Sequence, residues 1–224
     1  MKILILNGSS RRSGTTGKLL LAFKEELRKN PKVEIQYIDI EDMDIDYCRG
    51  CSICYRTGKC IIEDDGDAFS KAIEHADAVI FGSPTYASNI SGKMKVLIDR
   101  GHFVMEQLMH GKYFISVTTF ENYGGKNVIK VINNLLSFSG GYKVGQLVVK
   151  NDFNNNPLNN PLIGSKINSL SKDLNLAISN GKRYIFQKVK WFFVFNFGIK
   201  PFAEKRGSDY QAVFESWDKK GIKY

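Results

Sequence analysis

Asn7-Gly8-Ser9-Ser10-Arg11-Arg12-Ser13-Gly14-Thr15-Thr16-Gly17-Lys18 lies between an apolar run, Ile3-Leu4-Ile5-Leu6, and the residues Leu19, Leu20, Leu21, Phe23 and Leu27. The first run reads as a buried strand. The second set is spaced for one face of a helix. A strand, a glycine- and hydroxyl-rich loop and a helix N-terminus therefore follow one another. The first amides of a helix have no intrahelical acceptor and carry partial positive charge, which suits a phosphate. Ser9, Ser13, Thr15 and Thr16 add hydroxyl donors, and Arg11 or Arg12 adds a charged one. The competing reading is an ordinary polar turn with a helix cap.

Leu19 follows Lys18 where a Walker A loop needs Ser or Thr, and no Gly-x-Gly-x-x-Gly is present. A phosphate monoester bound without magnesium fits the loop better than a nucleoside triphosphate or a dinucleotide pyrophosphate.

Outward from this loop, apolar segments alternate strand and helix. Val33–Ile38, Ala78–Gly82, Tyr113–Thr118 and Tyr142–Lys150 read as further strands. Asp67–His75, Ser91–Arg100 and Val128–Phe138 read as helices, and Ile163, Ile167, Leu170, Leu174 and Ile178 mark a last one. Five strands with intervening helices predict an α/β three-layer sandwich around a five-stranded parallel sheet, in the flavodoxin-like order 2-1-3-4-5. In that order a ligand sits beyond the carboxyl ends of the strands, where Ser9–Thr16, Ser83–Ser91 and Thr119–Gly125 would meet.

The chain has 224 residues, 43% of them hydrophobic, enough for one good core. It enters a strand at once, and no apolar run approaches the roughly 18 residues of a membrane span. A cytoplasmic protein without a signal peptide is the expectation. The formal net charge of +9 permits acidic partners, but no nucleic-acid motif accompanies it and none is expected.

All four cysteines, Cys48, Cys51, Cys54 and Cys60, lie in the long connection Asp39–Asp65. Without a secretory signal their clustering points to metal or redox chemistry. Cys-x-x-Cys-x-x-Cys can wrap three thiolates round one corner of a compact cluster, with Cys60 as the fourth ligand, which favours a single [4Fe–4S] cluster. Four-thiolate zinc and free, redox-active thiols are the alternatives. Arg49 and Lys59 could offset a cluster's charge. Glu63, Asp64 and Asp65 read as a solvated turn and helix cap. His75, His102 and His110 show no ligand spacing and read as structural or surface residues.

The loop at Asn7–Thr16 resembles the FMN phosphate loop of the flavodoxin-like NAD(P)H-dependent FMN reductase family. Ser83–Lys95 with Asp99-Arg100 resembles that family's second signature, which holds the isoalloxazine ring. The cysteine run resembles the cluster motif of its iron–sulfur flavoprotein subgroup. The resemblance spans about residues 1–150. Ser10 and Thr15 stand where the family often has Pro and Asn. The resemblance implies that Ser9, Arg11, Ser13, Thr15 and Thr16 grip the FMN phosphate. It places Pro84, Thr85, Tyr86, Asn89, Thr119 and Gly124 around the ring. It implies an FMN-dependent oxidoreductase that passes electrons from NAD(P)H, or from a ferredoxin-type carrier, to a small-molecule acceptor. The alternative is an electron-transfer module between protein partners. No catalytic side chain is assigned, because hydride transfer needs no protein acid or base. The resemblance also implies a homodimer or larger assembly.

Residues 1–181 read as the FMN-binding domain and 182–224 as a basic, aromatic extension. Between Leu174 and Ala203 there is no acidic residue, and Trp191-Phe192-Phe193-Val194-Phe195 lies among several lysines. Packing on the domain or on a second subunit is the favoured reading of this tail. Docking on an anionic membrane surface is the other.

Overall fold

The computed structural model describes residues 1–152 and 155–223. Five parallel strands, β1 (Lys2–Asn7), β2 (Glu34–Asp39), β3 (Ala78–Pro84), β4 (Tyr113–Phe120) and β5 (Tyr142–Lys150), form one sheet in the order β2-β1-β3-β4-β5. Side chains alternate across a strand, so each inner strand feeds two cores. Ile3, Ile5, Ala78 and Ile80 pack with Leu20, Phe23 and Leu27 of α1 (Thr15–Arg28) and with Ile167, Leu170 and Leu174 of α6 (Pro161–Ser179). Leu4, Leu6, Val79 and Phe81 pack on the other face. Their partners are Phe69 and Ile73 of α3 (Asp65–His75), Met94 and Leu97 of α4 (Gly92–Arg100) and Ile132 and Leu136 of α5 (Gly125–Phe138). A short helix, α2 (Ile53–Thr57), interrupts the cysteine-bearing connection.

Two boundaries matter for the site. β4 continues through Thr119 and Phe120, and α5 starts at Gly125, so the third loop is only Glu121–Gly124. It is short because Gly124, at φ +90°, reverses the chain directly into the helix. Part of the expected surface loop after β5 lies outside the described residues.

The extension forms α7 (Ile185–Val194), a widened π turn (Phe195–Ile199), α8 (Lys200–Glu204) and α9 (Gln211–Lys219). Pro201 has no amide hydrogen, and its ring excludes the carbonyl four residues earlier, which accounts for the widened turn. The inner residues Phe195, Ile199, Tyr210, Val213 and Trp217 are buried against Met105 and Tyr55. Trp217 Nε1 donates to the Met105 carbonyl at 2.6 Å and Trp191 Nε1 to Gln107 Oε1 at 2.7 Å. The inner half of the tail thus packs on its own chain, beside the cysteine connection. No described helix is long and apolar enough to cross a membrane.

Candidate functional site

The carboxyl ends of β1, β3 and β4 bring three loops round one open cleft of about 140 Å³. Ser9, Arg11, Thr15, Thr16, Pro84, Thr85, Tyr86 and Thr119 line it. The phosphate-type loop is shaped by its own hydrogen bonds. Ser9 N–H donates to Asn7 Oδ1 at 3.2 Å, Arg11 N–H to Ser9 Oγ at 3.1 Å, and Gly14 N–H to the Arg11 carbonyl at 2.9 Å. Gly14 sits at the N-cap of α1, and no side chain caps that end. The first intrahelical bond runs from Lys18 N–H to the Gly14 carbonyl at 3.0 Å. The amides of Thr15, Thr16 and Gly17 therefore have no backbone acceptor among the described residues, and Thr15 and Thr16 border the cleft. An anion would satisfy them.

The loop closes tightly on the helix at Gly17. A Cβ there would lie 1.9 Å from the Arg12 carbonyl oxygen, so only glycine lets that carbonyl approach. Arg12 itself turns away to pair with Asp42, leaving Arg11 at the cleft. Ser13 is exposed and off the cleft.

The second loop is a tight turn in which Tyr86 and Asn89 exchange two backbone hydrogen bonds, each 2.9 Å. Its central residues, Ala87 (φ +48°) and Ser88 (φ +62°), occupy the left-handed region without being glycine, a conformation that costs energy and collects at functional loops. Asn89 Oδ1 accepts from the Ile90 amide at 2.8 Å, so Asn89 holds this turn and does not line the cleft. Gly124 also stands behind the cleft. A Cβ on it would lie 2.8 Å from Ser88 Cα, so the third loop braces the second. Thr119 is buried, its hydroxyl 2.7 Å from that of Thr16, and its carbonyl accepts from Thr85 N–H at 2.8 Å. Phe120 and Glu121, within the expected Thr119–Gly125 stretch, also line the cleft, as does Asn151, which sequence reasoning did not assign. Asn151 Nδ2 donates to Thr15 Oγ1 at 3.2 Å. The available signal was its place directly after β5, at the same carboxyl edge of the sheet.

The second signature divides between two places. Ser91 is buried, caps α4 by accepting from Met94 N–H at 3.3 Å, and donates to the Gly8 carbonyl. Its last residues, however, face away from the cleft. Asp99 pairs with Lys95 at the surface. Arg100 is buried against the cysteine connection and forms an ion pair with Asp64, with 1% and 4% of the two side chains exposed. Arg100 also donates to the Asp46 carbonyl at 2.9 Å. Asp64 accepts from the amides of Asp46 and Gly66, both at 2.9 Å. Asp64 is thus a helix cap, as expected, but not a solvated one, because the guanidinium draws it inside. Burial pushes its carboxyl up. The hydrogen bonds from Arg100, Asp46 and Gly66 outweigh this and hold it below its ordinary value.

This ion pair and the bonds between Asp44 and Asp65 close the cysteine connection into a loop fastened at its base. Cys48 and Cys51 are exposed, and Cys54 and Cys60 are half-buried, all as free thiols. Among the described residues no three His, Cys, Asp or Glu side chains gather closely enough to hold a metal ion. The surroundings nevertheless suit sulfur ligands. Arg100 Nε is a buried donor without a hydrogen-bond partner among the described residues, and the Cys60 side chain acts on this same guanidinium. His102 was expected to be merely structural. It lies against Cys54, and its Nδ1 is 3.0 Å from Glu106 Oε1. Burial pushes its imidazole down, but the contacts with Cys54 and Glu106 push it up to about 10. Arg100 is thus buried and His102 half-buried beside the thiols, whereas Arg49 and Lys59 are exposed. Their proximity to the cysteines comes from the turn after α4, which no linear spacing displays.

A doubly wound parallel sheet with an uncapped helix end facing its switch point defines the flavodoxin-like class of cofactor-binding proteins. The family model described as NADPH-dependent FMN reductase matches residues 1–155. An iron-sulfur flavoprotein of Clostridioides difficile (strain 630) is 38% identical over 225 residues, 99% of this chain and 100% of that protein. An iron-sulfur flavoprotein of Archaeoglobus fulgidus is 34% identical over 177 residues, 75% of this chain and 79% of that one. Among solved structures, an NADH:FMN oxidoreductase in its apo form shares the fold with a TM-score of 0.56 at 16% identity, covering 79% of this chain and 89% of that one. The chain belongs to the NADPH-dependent FMN reductase family. Similarity to the clostridial protein extends past residue 150 and through almost the whole extension.

Proposed function

We propose that this protein is an FMN-dependent oxidoreductase that accepts electrons from NAD(P)H, or from a reduced ferredoxin-type carrier, and passes them to a small acceptor. The uncapped N-terminus of α1, opening on the cleft where three loops meet, carries this reading. The amides of Thr15, Thr16 and Gly17, the hydroxyls of Ser9, Thr15 and Thr16 and the Arg11 guanidinium would hold the phosphate. Pro84, Thr85, Tyr86 and Thr119 would border the ring. A cleft of about 140 Å³ accommodates the phosphate end but not the whole cofactor, so the ring would extend over the rim. Tyr86 stands there, 48% exposed, and Tyr123, on the third loop, is 75% exposed. A second subunit on that rim would complete the site, in keeping with a homodimer. When bound, FMN supplies the electron chemistry itself. The chain binds its phosphate, orients the ring through the Tyr86–Asn89 turn and leaves one side open for a nicotinamide.

The four clustered thiols and the buried Arg100 side chain on which Cys60 acts favour a second element, a [4Fe–4S] cluster held by Cys48, Cys51, Cys54 and Cys60, with which the protein would also serve as an electron-transfer module. The relatives' names are consistent with such a cluster. Anaerobic purification followed by flavin and iron analysis tests both elements: one FMN per chain and about four iron atoms per chain are expected. Stopped-flow mixing then separates the donors. Direct bleaching of the flavin by NADPH or NADH supports the reductase, and bleaching only by reduced ferredoxin supports the carrier.

A further inference from the structure

Helix α7 has two apolar sides, and the fold covers one of them. Trp191 and Phe195 stack on each other at 5.1 Å and turn inward. The opposite side presents Ile185, Phe186, Val189, Phe192, Phe193 and Phe197, and Phe186 is 92% exposed. Phe193 and Phe197 stack at 5.9 Å, and Phe192 meets Phe193 edge-on at 5.9 Å, so the outer residues form a continuous surface. With roughly 150–250 Å² for each large aromatic side chain, their exposed fractions amount to roughly 600–800 Å². That is at or above the largest patch of a typical monomer, about 300–600 Å².

The segment that carries this surface, residues 182–199, holds basic side chains and no acidic one. Lys182, Arg183, Lys188 and Lys190 surround it, and none of them forms an ion pair among the described residues. Two clefts flank α7, of about 200 and 490 Å³, and no carboxylate lines either. A second copy is a poor match, because a two-fold contact brings this basic segment against the same basic segment of the partner, with no acidic residue in either. Anionic phospholipid matches both features: aromatic rings suit the boundary between headgroups and acyl chains, and lysines suit the phosphates.

We propose that α7 and the turn after it dock this protein on an anionic phospholipid surface. Phe186, Phe193 and Phe197 enter the interface, while Lys182, Arg183, Lys188 and Lys190 contact the headgroups. The surface is independent of the cleft and of the flavin reading.

Co-sedimentation of the full chain with vesicles tests this. The protein should pellet with vesicles of equal parts phosphatidylcholine and phosphatidylglycerol, stay in solution with pure phosphatidylcholine, and be released as salt rises. Each cation near the surface is worth about fivefold in affinity, so Lys188→Gln with Lys190→Gln should weaken binding about 25-fold. Phe186→Ser with Phe193→Ser should abolish pelleting while leaving the circular dichroism spectrum unchanged, since both side chains are exposed. Absence of pelleting with the mixed vesicles overturns the proposal, as does pelleting unaffected by the Phe variants. A dimer in sedimentation velocity that dissociates in Phe186→Ser/Phe193→Ser also overturns it, and makes this face a subunit contact.

Discussion

Replacing Gly17 by Ala should weaken FMN binding more than any loss of a single hydroxyl in the cleft. A Cβ at Gly17 would lie 1.9 Å from the Arg12 carbonyl oxygen and 3.0 Å from its carbon, where ordinary contact begins near 3.4 Å. The difference, about 1.5 Å, must be absorbed by backbone, because the two nearest atoms both belong to the Arg12 carbonyl group. The segment that moves carries Arg11 and leads into the unpaired amides. Misplacing positioned groups by about 1 Å can cost about 100-fold, so Kd for FMN should rise about 100-fold, or about 2.8 kcal/mol. Overpacking should cost a further 1–3 kcal/mol or so of apoprotein stability. Gly164→Ala is the control. It also lies in a helix, but nothing stands within 4 Å of its Cβ, so FMN affinity should not change and stability should rise by up to about 1 kcal/mol. Fluorescence-quenching titration of flavin-free protein, with thermal melts, measures both quantities. A Gly17→Ala protein that binds FMN within threefold of the parent, with an unchanged melting temperature, would refute the loop geometry.

Thr119→Val leaves the buried Thr16 hydroxyl without its partner at 2.7 Å, and should lower stability by about 1–3 kcal/mol in a urea titration. Arg100→Met strands the Asp64 carboxylate at 4% exposure, and should cost about 3–5 kcal/mol at neutral pH by the same assay. Asp64 is held below its usual value in the folded chain, so its stabilisation is complete above the unfolded value near 3.8. It fades as the pH falls through the lower, folded value. Asp64→Asn should therefore flatten the acid limb of a stability–pH curve, and an unchanged limb would count against the pair. Trp217→Ala empties a fully buried site and breaks a 2.6 Å hydrogen bond, so it should cost about 3–5 kcal/mol; a loss below about 1 kcal/mol would show that the extension is not integral to the fold.

The sheet order and the cleft loop were legible because both depend on local signals. The apolar runs Ile3–Leu6 and Ala78–Phe81 carry no competing period, and the first loop concentrates hydroxyls and glycines immediately before a helix. Arg100 was not legible. Its neighbours place it in a cofactor signature, yet its partner is an aspartate 36 residues earlier, and only the packed structure shows the pairing. His102 was hidden for the same reason, since Cys54 approaches it through folding and not through spacing. Asn89 and Gly124 were recognised as belonging to the site loops, but their roles depend on backbone angles and bracing contacts that residue identity does not reveal. The tail was legible only as an average. Trp191 and Phe195 point in while Phe192 and Phe193 point out, so a single aromatic run served two different surfaces.

A crystal structure of the protein with FMN tests the central claim most directly. The phosphate should lie within hydrogen-bond distance of the Thr15, Thr16 and Gly17 amides, with the ring toward Tyr86. Flavin density elsewhere on the molecule, or a phosphate held away from the N-terminus of α1, would contradict it.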